Sequence, residues 1–215
     1  MTQIPLTRVL ADRQKAEGIR AAVRAVRLPD GGRRKLAGCE DAELFHDFIC
    51  DPAVSNSIYT LPKPVTLAST KAFIERHVDE QARGEGLLML DIDESGAVTG
   101  YHDFQFWPDW SACELGGAVR PDRQSKGEGR KGAALAFDWL FEIIGVDLIC
   151  ETAALDNIRT ARLLERLGFV EKGVIESELT GGGTRPSRYW EMSKTAWQTI
   201  KNQQRDLAHR AHSND

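Results

Sequence analysis

Cysteine is scarce. Four cysteines occur in 215 residues, Cys39, Cys50, Cys113 and Cys150, and no two form a CxxC pair. That spacing offers neither a zinc knuckle nor a small disulfide framework, so reduced thiols and no metal are the expectation. No apolar run approaches the roughly 18 residues that a membrane span needs, and the opening MTQIPLTRVLADRQK lacks the apolar centre of a secretory signal. A soluble, cytoplasmic chain with no membrane partner is therefore expected. Internal repeats and low-complexity linkers are also missing. Positive charge is not in excess: 28 Lys and Arg against 32 Asp and Glu leave a net charge of -4. This argues against nucleic acid as the main partner and suits an amine-bearing or cationic small substrate.

What is present is an ordinary globular composition, 41% hydrophobic and 28% charged, in a chain long enough to bury a core as one domain. Residues 1–19 carry no firm period and are set apart as an N-terminal extension. Residues 20–195 form the expected domain, and 196–215 a polar tail that begins helical. The first element expected is a hairpin, with IRAAVRAVRL and RRKLAGC as strands about the Pro29-Asp30-Gly31-Gly32 turn. A helix then opens at Glu40 and Asp41, whose charges suit its first turn, and closes at Pro52. A second helix, LASTKAFIERHVDEQARG, places Phe73, Ile74 and Val78 at helical spacing and ends at Gly84. GLLMLDID, AVTGYHDFQFW and CELGGAV follow as three antiparallel strands.

The order then changes to strand, loop, helix, strand, helix, strand, which is the mark of a parallel crossover. The helices span about Arg130 to Ile144 and Ile158 to Leu167. Gly168 stands where a left-handed helix cap is wanted, and two strands, FVEKGVIES and SRYWEMS, close the domain. The loop Gln124-Ser125-Lys126-Gly127-Glu128-Gly129 sets two glycines and several donors where a strand gives way to a helix. Backbone N–H groups from about Ser125 to Arg130, at a positive helix end, can cradle a pyrophosphate without a metal. A side chain at Gly127 or Gly129 would hold the backbone away from the phosphates.

Gln124-x-x-Gly127-x-Gly129, the strand carrying Glu114, Asn157-Ile-Arg-Thr160 and the Leu163 to Phe169 run ending in LGF together resemble the acetyl-CoA core of the GNAT N-acetyltransferase superfamily, RimJ/RimL-like branch. The core motifs cover about residues 114–170. The resemblance implies an α/β (α+β) fold: a mixed, mostly antiparallel sheet of about seven strands, a V-shaped splay between its two parallel strands, and about four flanking helices. It implies acetyl-CoA as cosubstrate, bound by Gly117, Ala118, Val119, Gln124, Ser125, Lys126, Gly127, Glu128, Gly129, Arg130, Asn157, Thr160 and Leu164. Gly116-Gly117 would tolerate a bulge exposing the strand edge, and Asn157 would bond the pantetheine arm or cap its helix. The expected reaction is direct attack of a primary amine on the thioester, with Glu114 or Glu151 as base. Relatives that place a tyrosine seven residues beyond the Asn use it as acid; Leu164 stands there, so the branch's hydroxyl at Thr160 takes that role. Cys150, within an apolar strand, reads as a core thiol.

The acceptor pocket is expected from the first two helices and the meander, with Tyr101, His102, Phe104, Trp107 and Tyr189 as substrate-binding residues. The acceptor is a small-molecule or peptide amine, and a homodimer through the C-terminal strands is compatible with the pattern. Two other readings stand beside this one. Gly127-Glu-Gly129-Arg-Lys-Gly132 is a literal GxGxxG, the fingerprint of an NAD(P) oxidoreductase, but seven residues separate it from Val119 and an antiparallel meander precedes it. A non-catalytic acyl-CoA sensor of the same fold is the other, kept open by Leu164.

Overall fold

Among the described residues from 33 onward the predicted strands and helices form, with a short helix at Pro52–Ser55 added; before residue 33 the prediction fails. The structure, a computed structural model, describes residues 4–29, 31–56, 58–123, 128–180 and 182–212, with side chains omitted at 128–131 and 207–212. The expected first strand is a helix, α1 (Arg13–Ala25). Ala16, Ile19 and Val23 recur on one buried face, and the Asp12 side chain accepts from the Lys15 N–H as N-cap. The alternation in IRAAVRAVRL also satisfies a helical period, and burial of that face decides between the two.

Seven strands form one sheet: β1 (Arg34–Leu36), β2 (Gly86–Ile92), β3 (Val98–Trp107), β4 (Ala112–Val119), β5 (Leu148–Ala154), β6 (Val170–Glu178) and β7 (Thr184–Ser193). Their order is β1-β2-β3-β4-β5-β7-β6, antiparallel throughout except between β4 and β5. The remaining helices are α2 (Ala42–Ile49), α3 (Pro52–Ser55), α4 (Leu67–Arg83), α5 (Glu128–Trp139), α6 (Ile158–Leu167) and α7 (Lys194–His212). This is the expected mixed α/β class, with more helices than the expected four: α1 replaces a strand, α3 is one turn, and the tail is α7. Gly84 and Gly168 cap α4 and α6 in the left-handed conformation, as their positions predict.

The period of two along each strand sorts side chains to two faces. One face carries Leu87, Met89, Phe104, Phe106, Cys113, Ile149, Ala153, Trp190 and Met192, and packs against α1, α5, α6 and α7. The other carries Leu88, Leu90 and Tyr101 under α2 and α4, and Ala112, Leu148, Cys150 and Tyr189 beneath residues of the N-terminal segment. That segment, from Ile4, runs along β7 and passes the β3–β4 turn, where the Ala11 N–H bonds Asp109 O at 2.9 Å.

The parallel ladder between β4 and β5 covers three pairs, from Ala112↔Leu148 to Glu114↔Cys150. Beyond it β4 stays on β3 to Val119↔Gly100 while β5 stays on β7 to Ala154↔Ser187, so the two strands part. The β3–β4 register runs without a break, so the expected bulge at Gly116-Gly117 is not formed; the strand edge is exposed by the parting alone. Gly117 is nonetheless required, because at φ 149° a Cβ would stand 2.3 Å from Tyr101 O.

Candidate active site

The parting of β4 and β5 opens a cleft of about 1770 Å³ through the sheet. It is walled by β4 from Glu114 to Val119, β5 from Glu151 to Ala154, the start of α6, the α3–α4 loop around Tyr59, and the β6–β7 hairpin. Within β4, residues 115–118 have a strand partner only on the β3 side, so their other edge is available to bond a ligand.

The cleft differs in charge between the two sheet faces. On α6, Arg162 and Arg166 lie on the side covered by α5 and α6, and Arg123 lines the cleft just beyond β4. Glu80, Asp103 and Glu114 lie on the side covered by α4, where Arg76 of that helix pairs with Glu80 at 3.6 Å and His77 with Asp103. An anionic ligand part is favoured on the first side, and on the second an amine can meet the Glu114 carboxyl. Asn157 sits at the α6 N-terminus, where its carboxamide oxygen accepts from the Thr160 N–H at 3.1 Å. The cap occupies that oxygen and leaves the amide N–H groups able to donate to a ligand.

Glu114 projects to the same face as Ala112, its neighbour two residues back. The Thr152 hydroxyl donates to Glu114 Oε1 at 2.7 Å, and the Tyr59 hydroxyl lies 2.6 Å from Thr152 Oγ1. Since Thr152 spends its proton on Glu114, Tyr59 must donate to Thr152. Burial raises the Glu114 carboxyl to about 7; the Thr152 bond opposes the rise, and the charge of Asp103 adds to it. Burial likewise pushes the Tyr59 phenol up to about 12, with Glu114's charge contributing, so it remains a donor. Tyr59 is fixed from two sides: the Arg185 guanidinium stacks 4.1 Å from its ring, and the Thr180 hydroxyl bonds the carbonyls of Tyr59 and Thr60, both at 3.0 Å.

Glu151 has the opposite parity and faces the α5 and α6 layer with Ile149 and Ala153. It is buried, which raises its pKa well above the ordinary carboxyl value, and Glu114's charge adds to the effect. Below the acidic side lies a pair that the sequence pattern did not single out. His77 Nδ1–H donates to Phe73 O at 2.8 Å, and its Nε2 lies 2.9 Å from Asp103 Oδ1. Burial works against protonating His77, but Asp103, the Phe73 carbonyl and Glu80 outweigh it, and its pKa is raised. Glu80 Oε2 is buried without a hydrogen-bond partner among the described residues.

The sequence-derived residues divide accordingly. Glu114, Glu151, Thr160, Gly117, Ala118, Val119, Asn157 and Trp107 are brought together in the cleft. Gln124, Ser125, Lys126 and Gly127 lie outside the described residues; Glu128, Gly129 and Arg130 form the first turn of α5. Leu164 does not reach the cleft but packs into the core under α6. Of the five proposed substrate residues, Trp107 alone lines the cleft. Tyr101 packs on Phe45 and Phe48 beneath α2, and Phe104 is core on the opposite face. His102 turns to Asp91 and Arg34, at 3.0 and 2.7 Å. Tyr189 is buried, donating to Glu191 at 2.6 Å. The set drew on both faces of β3, and a strand offers only one: its odd residues Asp103, Gln105 and Trp107 line the cleft. Cys150 is a buried thiol whose pKa is pushed up, first by burial, as befits a core residue.

Tyr59, Thr152, His77 and Asp103 are the residues that sequence reasoning missed. His77 sits four residues after Phe73 on the buried stripe of α4, where Val78 was expected and is instead 41% exposed. Thr152 is a hydroxyl in an apolar strand at Glu114's parity, a signal that could have been used. Tyr59 is in an irregular loop and carries no pattern at all.

A seven-stranded sheet opened at one parallel pair is not a dinucleotide fold, which needs a run of parallel strands. Residues 34–170, more than half of the chain, match the model of the acetyltransferase (GNAT) domain, and the chain belongs to that family of acetyl-CoA-dependent acetyltransferases. Among curated proteins no sequence match is found. The fold is similar to that of the ribosomal-protein-S5-alanine acetyltransferase from Vibrio fischeri (16% identity, TM-score 0.63, covering 76% of this chain and 93% of that one). It is similar too to spermidine N-acetyltransferase from Vibrio cholerae in complex with CoA and spermine (17% identity, TM-score 0.62, 76% and 96% coverage). Among the described residues, no helix is long and apolar enough to cross a membrane, and no cluster of His, Cys, Asp and Glu could hold a metal ion.

Proposed function

We propose that this chain transfers the acetyl group of acetyl-CoA to a primary amine, with Glu114 as the base and the RimJ/RimL-like branch as its place in the family. The observation that carries the assignment is Glu114 itself: a carboxyl raised to about 7, standing where β4 leaves β5, on the acidic side of the cleft. A base with that pKa is matched to removing a proton from an incoming amine near neutral pH. Glu151 points to the other face and stays protonated, which leaves it a structural or donor role.

The basic side receives CoA. The open β4 edge at 115–118 bonds the pantetheine arm, Asn157 donates to it, and residues 124–130 take the diphosphate. The amine enters over Asp103 and Glu114, and its nitrogen attacks the thioester carbonyl carbon. The new C–N bond forms as the C–S bond breaks; Glu114 takes a proton from nitrogen, and the leaving sulfur takes one from Thr160, a cleft residue at the α6 start whose hydroxyl regains its proton from water as Glu114 returns one to solvent. Acetylated ribosomal-protein alanine and acetylated spermidine, the products implied by the names of the two similar structures, are both amides of primary amines. The Glu114 carboxyl favours such an acceptor, whether a small molecule or a peptide.

Thermal melts with acetyl-CoA, CoA, NAD and NADP test the cofactor. At a hundredfold excess over Kd, acetyl-CoA and CoA are expected to stabilise by about 2.7 kcal/mol, with release of free thiol on adding an amine. A shift with NAD or NADP alone would overturn the reading. Asn157 separates further: Asn157→Ala should lose about 1 kcal/mol of helix capping together with CoA affinity. Asn157→Asp keeps a capping oxygen, so its apo melting point should hold while CoA affinity still falls. Equal CoA affinity in all three proteins would remove Asn157 from the site.

A further inference from the structure

The segment before α1 lies outside the matched 34–170 region, yet it reaches the cleft. Ile4 is 7% exposed, packed with Ala112, Leu148, Cys150, Ile175 and Tyr189, and it lines the cleft with Trp107 and Ile175. Three bonds hold this stretch to the sheet. The Thr7 N–H and hydroxyl donate to the two oxygens of Glu191, at 2.8 and 2.5 Å, and the Leu6 N–H donates to the Tyr189 hydroxyl at 3.1 Å. Glu191 is buried, so its carboxylate depends on these donors, on Tyr189 and on Lys172 at 3.7 Å. Such a group anchors the arm firmly, because leaving it would strand a buried charge.

The arm packs on the sheet face that carries Glu114 and Thr152. Ala112, Leu148 and Cys150, which Ile4 touches, have their parity. That is the face opposite α5 and α6. We propose that Ile4 forms part of the wall of the acceptor pocket as a specificity-determining residue, with Thr7 as the positioning residue that holds it there. This rests on the acetyl-transfer reading above, which makes that face the acceptor side. The wall formed by Ile4, Trp107 and Ile175 is apolar, whereas Asp103, on the same face of β3 as Trp107, and Glu114 on β4 are acidic. The acceptor class that fits both is a primary amine on an alkyl stem, its nitrogen toward Glu114 and its carbons against Ile4. A polyol amine such as an amino sugar would bury hydroxyls there without partners.

The test compares acetyl transfer to methylamine, hexylamine and glucosamine by the full chain, by Ile4→Ala and by Thr7→Val, with acetyl-CoA melting shifts reporting that each variant is folded. The full chain should prefer hexylamine to both other amines. In Ile4→Ala the hexylamine-to-methylamine ratio of kcat/KM should fall roughly tenfold, as for lost methylenes in an apolar pocket. The loss should appear in the KM for amine and not in the KM for acetyl-CoA. Thr7→Val should lower the same ratio, and Thr7→Ser should restore it. Transfer by the full chain with a ratio that none of these variants changes overturns the wall alone. Absence of transfer to any amine by the full chain overturns the acetyl-transfer reading and the wall with it.

Discussion

Replacing Glu114 by glutamine should lower kcat/KM for acetyl transfer by about 10² to 10⁴, the usual worth of a positioned general base. The pH dependence carries the sharper test. Glu114 acts once it has lost its proton, so activity of the unaltered chain should rise with pH through about 7 and level off above. In Glu114→Gln that limb should vanish. Thr152→Val removes the hydrogen bond that holds the Glu114 pKa down, so its limb should move to higher pH. Stability follows with the opposite sign. A carboxyl whose folded-state pKa is raised favours the fold while protonated, and that contribution is lost as pH climbs from the ordinary 4.5 through about 7. Glu114→Gln should therefore melt higher than the unaltered chain at pH 8 and at about the same temperature at pH 4. A limb that persists in the glutamine variant would place the base elsewhere.

The second large effect is structural. His77→Ala should cost about 3 kcal/mol or more, because it leaves Asp103 a partly buried carboxylate without its cation and removes from Glu80 a cation 3.9 Å away, leaving it Arg76 at 3.6 Å. The side chains of Asp103 and Glu80 are only 13% and 12% exposed, so water recovers little of that loss. The raised His77 pKa fixes where the difference is seen. Its stabilising contribution is complete below the ordinary value of 6.5 and is lost as pH rises through the higher folded-state value. Denaturant titrations at pH 6 and pH 9 should show the larger gap between variant and unaltered chain at pH 6. Equal gaps would mean that His77 contributes by packing on Phe73, 4.4 Å away between ring centres, and not by its charge.

The amino-acid sequence by itself determined what short-range rules govern. The two-residue period of GLLMLDID, AVTGYHDFQFW and CELGGAV set strands that the structure confirms, and Gly84 and Gly168 stopped their helices where left-handed caps were wanted. The motif spacing from Glu114 to Phe169 was enough to indicate the family. In IRAAVRAVRL the local rules were ambiguous, since the same apolar residues fit a strand or a helix, and packing of Ile19 and Val23 against the sheet chose the helix. Tertiary structure alone decided which face of a strand meets which side of the cleft. Periodicity fixes that Tyr101 and Phe104 point oppositely but not which points where, and that sign separates Glu114 from Glu151. It also joined residues far apart in the chain: Tyr59 from a loop without pattern, Thr152 from β5 and Glu114 from β4, within 2.7 Å of one another in succession. Such contacts depend on where the chain returns after a hundred residues, which the hydrophobic and turn signals of a local window do not encode.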